Sequence, residues 1–94
     1  IYVEILKDVS FRVPPLTKRD VKEMVAEIKT FELLAGARGE KSSDLEAIYE
    51  NILKLAQLSM DFPQIIEIDI NPLKVGYAGK GAIALDVRLT LKAN

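Results

Sequence analysis

The 94 residues include no cysteine and no histidine, and aromatic residues make up only 6%. Without cysteine there can be no disulfide, no thiolate nucleophile and no Cys-based zinc or iron–sulfur site. Without histidine the usual general base and the commonest metal ligand are missing. No apolar run approaches the ~20 residues that a membrane-spanning helix needs, and no signal-peptide pattern is visible. With cysteine also absent, a cytoplasmic location and no membrane partner are the expectation. Charge of one sign is lacking too: 13 Lys and Arg face 14 Asp and Glu, a net charge of -1. A nucleic-acid partner, which needs a clustered basic footprint, is therefore not expected. The length suits one domain, 1–94, large enough to bury a single core. The chain begins at Ile1 within an apolar stretch, which hints at a segment of a longer protein.

What is present is strongly patterned. Val3, Ile5, Val9, Phe11 and Val13 alternate with Tyr2, Glu4, Asp8, Ser10 and Arg12, a period of two that predicts a strand over 1–13. Pro14-Pro15 ends it, because proline cannot donate to a ladder. Thr17 and Asp20 have the spacing of a capping box, and Val21, Met24, Val25 and Ile28 follow at helical spacing, predicting a helix from about Lys18 to Lys29. Phe31, Leu33 and Leu34 allow a further short turn before Gly36. Ser43 and Glu46 form a second capping-box pattern. Leu45, Ile48, Tyr49, Ile52, Ala56 and Ser59 make the stripe of a helix that ends at Phe62-Pro63, and Leu53, Leu55 and Leu58 widen it.

Alternation then returns over 65–71, where Ile66, Ile68 and Ile70 oppose Glu67, Asp69 and Asn71. Glycines 76, 79 and 81 mark a hairpin around Leu73–Lys80. Ile83, Leu85, Val87, Leu89 and Leu91 form one face of a last strand. The expected fold is α+β: two helices on one face of a mostly antiparallel sheet, with the apolar strand faces and the helix stripes making the core.

The other sheet face gathers Glu4, Asp8, Arg12, Glu67, Asp69, Asn71, Asp86, Arg88 and Thr90. Five carboxylates and two arginines leave −3 on that face. Residues at i, i+2 and i+4 of one strand project to one side, so like charges are crowded there unless solvent or a cation relieves them. A solvated sheet face explains this. A divalent-cation site explains it as well, since carboxylate and amide oxygens suit Mg²⁺ or Ca²⁺. No EF-hand loop, P-loop, GxGxxG or nucleophile elbow occurs. Arg38, in the run Gly36-Ala37-Arg38-Gly39, is either an ordinary turn arginine or an anion contact. Arg12 and Arg88 read most simply as carboxylate partners on the acidic face.

Several blocks together carry a resemblance: Val3–Arg12 with Pro15-Leu16, the run Leu33-Leu34-Ala35-Gly36-Ala37-Arg38-Gly39, Gln57-Leu58 with Asp61, Ile66-Glu67-Ile68-Asp69-Ile70-Asn71-Pro72-Leu73, and Ala84-Leu85-Asp86-Val87-Arg88. This pattern resembles the C-terminal part of the ATP-grasp domain of NDP-forming acyl-CoA synthetases. The nearest branch is the beta subunit of ADP-forming acetyl-CoA synthetase, with the succinyl-CoA synthetase beta subunit more distant.

The resemblance implies an ATP-grasp C-terminal subdomain that binds ATP or ADP with Mg²⁺. It implies Asn71 and Asp86 as metal ligands, Glu67 and Asp69 as their neighbours, and Arg38 and Arg88 as nucleotide-phosphate contacts. The implied reaction is acyl-CoA + ADP + phosphate to acid + ATP + CoA, through a phosphorylated histidine that this chain does not contain. The implied partners are an N-terminal ATP-grasp subdomain, a CoA-binding alpha subunit or domain in a hetero-oligomer, and a small acid with CoA. By itself the segment would be inactive. The alternative is a ligand-sensing, non-catalytic ATP-grasp region fused to an acetyltransferase.

Overall fold

Thr17 starts the first helix as the spacing predicts. Its hydroxyl accepts from the Asp20 N–H at 3.1 Å, and the Asp20 carboxylate accepts from the Thr17 N–H at 2.8 Å. Helix α1 runs Lys18–Ala26. It stops short of the expected Lys29 because the next N–H groups turn back by three residues, Glu27 to Met24 and Ile28 to Val25, which tightens and ends the helix. A separate turn, α2, covers Phe31–Leu34.

The long helix α3 spans Leu45–Asp61. Its N-cap is Asp44 and not Ser43: the Asp44 carboxylate accepts from the Ala47 N–H at 3.1 Å. Ser43 is engaged elsewhere, bridging to Tyr77 and donating its N–H to the Leu34 carbonyl at 2.8 Å. Glu46 instead pairs with Lys18 at 2.7 Å, linking the two main helices.

The computed structural model describes residues 10, 12–36, 39, 41–70 and 73–93, with only the backbone at position 70. The strand expected over 1–13 lies almost wholly outside these residues. Ser10, Arg12 and Val13 are described and belong to no strand. Val13, expected to face the core, is 86% exposed.

Four strands follow α3: β1 Ile65–Ile70, β2 Leu73–Val75, β3 Ala82–Ala84 and β4 Val87–Leu91. β1 pairs antiparallel with β4, and β2 pairs antiparallel with β3. A bulge between Ile65 and Glu67 breaks the expected alternation and leaves Ile66 exposed. The single strand expected over the last segment is divided in two by a break at Leu85-Asp86.

The core is a cluster of Val21, Val25, Ile48 and Tyr49, with Leu16, Phe31, Leu34, Leu45, Ile52, Leu53 and Val75 packed around it. It is thus mainly a helix-on-helix core that Val75 joins from β2. The apolar side chains of β3 and β4 do not fill it as expected: Ile83, Leu85, Val87, Leu89 and Leu91 are all about half exposed or more. Helix α3 lies against β1 and β3, while β4 has β1 as its main neighbour. The molecule is α+β with antiparallel sheets, and no helix among the described residues is long and apolar enough to cross a membrane.

Candidate functional site

The polar residues singled out from the sequence divide into three groups. Glu67, Asp69, Asp86, Arg88 and Thr90 come together around the β1–β4 ladder. Asp69 faces Arg88 and Glu67 faces Thr90 as Cα partners, so each pair shares one face of the sheet. All five are exposed. Asp86 falls in the break between β3 and β4, where its Oδ2 lies 3.8 Å from the Arg88 Nε. Its side chain is 56% exposed and that of Arg88 80%. The contact is long and solvated, so it neutralises Asp86 only weakly.

Arg12 forms the second group by itself. It turns away from the acidic sheet face and binds Glu27 just past the end of α1, with Nη1 donating to Oε1 at 3.0 Å and Nη2 to Oε2. Ser10 Oγ donates to the same carboxylate at 2.7 Å. The third group, Glu4, Asp8, Arg38 and Asn71, lies outside the described residues. Among the described residues no three acidic side chains converge closely enough to hold a metal.

The two short ladders share one register. β1 and β4 run Asp69↔Arg88 and Ile70↔Val87; β2 and β3 run Leu73↔Ala84, Lys74↔Ile83 and Val75↔Ala82. In chain order β2 and β3 lie between β1 and β4, so the β2–β3 ladder is the outer half of a nested hairpin, and its returning arm leaves strand structure at Leu85-Asp86.

The outer half of this hairpin is tied to α3. Asp44 is the one charged residue buried among those described, at 9% exposure. Its Oδ1 accepts from Ala47 and its Oδ2 accepts from the Gly81 N–H at 2.8 Å, while its own N–H donates to the Gly76 carbonyl at 2.8 Å. The Gly81 and Ala47 N–H donors hold the Asp44 carboxyl below its usual range. Gly76 closes the loop by donating to the Gly81 carbonyl at 2.9 Å. A Cβ at Gly76 would sit 2.7 Å from the Lys80 Cβ, and Gly81 has φ +82, so both positions require glycine. Sequence reading passed over Asp44. The only signal was an aspartate immediately before the first apolar residue of the helix stripe.

Against this geometry the relationships are clear. The family model of the ATP-grasp domain matches residues 1–91, and the chain belongs to that family. It is 54% identical over 91 residues to the beta subunit of ADP-forming acetate–CoA ligase I from Pyrococcus furiosus, covering 97% of this chain and 38% of that subunit. It is 50% identical over 91 residues to the ADP-forming 4-hydroxybutyrate–CoA ligase of Nitrosopumilus maritimus, covering 97% of this chain and 13% of that protein. Among solved structures, the dinucleotide-forming acetyl-coenzyme A synthetase 1 of Ca. Korarchaeum cryptofilum, in complex with coenzyme A and Mg-AMPPCP, superposes with a TM-score of 0.86 at 36% identity. That match covers 98% of this chain and 42% of the other. The chain thus spans well under half the length of these relatives.

Proposed function

We propose that this chain is the Mg²⁺–nucleotide half of an ADP-forming acyl-CoA synthetase that converts acyl-CoA, ADP and phosphate to acid, ATP and CoA. The observation that carries the reading is the exposed acidic face around the β1–β4 ladder. Glu67 and Asp69 on β1 lie with Asp86 and Arg88 around that ladder, all exposed, and Asp86 falls in the break between β3 and β4. Together with the Asn71 amide that the family resemblance implies, the Asp86 carboxylate makes a two-oxygen donor set for a hard cation.

That set fits Mg²⁺, which commonly takes one or two protein carboxylates and completes its shell with water and substrate phosphates. The exposure of Asp86 and its weak ion pair leave its oxygens open to such a cation. Asn71 and Asp86 hold the ion, and Glu67 and Asp69 stand beside it. Arg88, mostly exposed on the same face, meets nucleotide phosphate, and Arg38 is a second candidate for that role. When bound, Mg²⁺ supplies charge neutralisation on the phosphates. The protein's part is to hold donors in place.

The rest of the site comes from an N-terminal ATP-grasp subdomain and a CoA-binding alpha subunit or domain, in a cytoplasmic hetero-oligomer. The ligase reading is favoured over a regulatory one because the relatives at 50–54% identity are ADP-forming ligases. In the complete enzyme, Asp86→Ala and Asn71→Ala should each lower ATP formation by more than ~100-fold, beyond the loss usual for residues that only support a ligand. Circular dichroism should show an unchanged fold. Normal turnover of both variants at limiting Mg²⁺ would overturn the assignment.

A further inference from the structure

Asp86 is held from two sides: Val87 after it enters the β1–β4 ladder, and two residues before it Ala84 ends the β2–β3 stem. The outer half of the hairpin has three paired positions, Leu73↔Ala84, Lys74↔Ile83 and Val75↔Ala82. Lys74 and Ile83 are exposed, and Val75 alone of the six packs on the core cluster. β3 also lies against α3, with Leu73, Ala82 and Ala84 half-buried, so one side of the stem is held by apolar packing. The second point of attachment is polar. Ser43 and Tyr77 form a β-bridge, the Ala78 N–H donates to the Ser42 carbonyl at 3.0 Å, and Asp44 bonds Gly76 through its backbone and Gly81 through its side chain.

Asp44 differs from the other members of this set. It is buried, it is charged, and its two carboxylate oxygens serve two different elements, the first turn of α3 and the base of the hairpin loop. From Gly81 the chain runs through β3 and two further residues to Asp86, at most ~16 Å if extended. The other arm of the same stem, β2, begins two residues after Asn71.

We infer that Asp44 is a positioning residue: by latching the hairpin loop to the N-terminus of α3, it fixes the outer side of the break that holds Asp86 and so sets the affinity of the proposed site for Mg²⁺. The inference rests on the metal reading proposed above. Asp44 touches neither nucleotide nor cation in this role. It acts through the Gly81 N–H and the stem.

Asp44→Ser is the discriminating variant. Serine is about as good an N-cap as aspartate, so α3 keeps its cap. Its single short oxygen cannot also reach Gly81, so the latch is lost. Thr17→Ala, which removes the N-cap of α1 and lies outside the core cluster that Val75 joins, supplies a control for general destabilisation. Each is made in the complete enzyme, beside Asp86→Ala.

Three measurements are compared: the Mg²⁺ dependence of the initial rate at saturating ADP, calorimetric binding of Mg-ADP, and amide hydrogen exchange over 81–84 in the metal-free enzyme. Asp44→Ser should raise the half-saturating Mg²⁺ concentration about tenfold, in the range seen when a supporting residue of a metal site is lost. Its kcat at saturating Mg²⁺ should be nearly unchanged, its Mg-ADP binding weaker, and its exchange at 81–84 faster. Thr17→Ala should lower the melting temperature and leave the Mg²⁺ dependence as in the parent enzyme. If Asp86→Ala destroys activity while Asp44→Ser keeps the parental Mg²⁺ dependence, the latch is wrong and the metal site stands. If Asp86→Ala itself keeps the parental activity and Mg²⁺ dependence, the metal reading falls and the inference with it.

Discussion

Glu27 shows how much one carboxylate can organise at the residue scale. It sits just past α1 and accepts from Ser10 Oγ and from both terminal nitrogens of Arg12, tying the segment before the helix to the helix's end. The Arg12 hydrogen bond and then that of Ser10 pull its carboxyl down to about 2 from the ordinary 4.5. A carboxylate whose pKa is depressed by folding stabilises the fold fully above its unfolded value and loses that contribution as pH falls through the folded one. For Glu27 the window runs from about 4.5 down to about 2. Glu27→Gln should therefore melt below the parent chain at pH 6, and the gap should close as pH approaches 2. Thermal melts across that range check it, and a gap constant with pH would show that the charge is not what matters. Asp20 and Asp44 are also depressed and add to acid sensitivity with the same sign.

Asp44 also marks where sequence reading stopped. The S-x-x-E spacing drew attention to Ser43 and Glu46, whereas the residue that caps α3 is their neighbour. What distinguishes Asp44 is its bond to Gly81, 37 residues away. Local spacing carries no trace of a partner that distant.

The helices are the elements whose sequence patterns translate most directly into structure. The Thr17–Asp20 box forms, and the predicted stripe positions Val21 and Val25 are buried to 0% and 5% exposure. Burying a valine side chain is worth about 2 kcal/mol, so Val21→Ala should cost roughly that amount in urea unfolding. Thr17→Ala should cost about 1 kcal/mol through the lost cap. A Val21→Ala cost below that of Thr17→Ala would mean that the helix pair relaxes into the space.

The strands were less legible. The alternation from Ile83 to Leu91 continues straight through Leu85-Asp86, with no glycine or proline to announce the break. Nor does alternation reveal how many helices cover a strand, which is why the apolar residues of β4 are more exposed than their pattern suggested. The grouping of Glu67, Asp69, Asp86 and Arg88 was legible, because pairing across an antiparallel ladder preserves the polar face. Arg12 was misassigned to that face because its partner, Glu27, is a helix-end residue that strand periodicity cannot bring into view.

At the scale of the whole molecule the decisive facts are its length beside its relatives and the side chains it does without. It covers 38% of the Pyrococcus furiosus beta subunit and has no histidine to carry a phosphoryl group. Asp86, proposed as a donor to Mg²⁺, sits exposed at the break between β3 and β4, and no three acidic groups converge among the described residues. A donor set so sparse relies on substrate phosphates to complete the cation's shell, and phosphates must be held from a second side before transfer can occur. A chain with one side of such a site should bind weakly and turn nothing over. The expected result is no ATP formation above background from acetyl-CoA, ADP, phosphate and Mg²⁺ by the isolated 94 residues, with the complete enzyme active under the same conditions. A luciferase-coupled assay reads this, and circular dichroism on the same sample must first show the helices in place. Sustained ATP formation by the folded segment would mean that its hairpin face holds a whole catalytic site, and the division of labour proposed here would have to be abandoned.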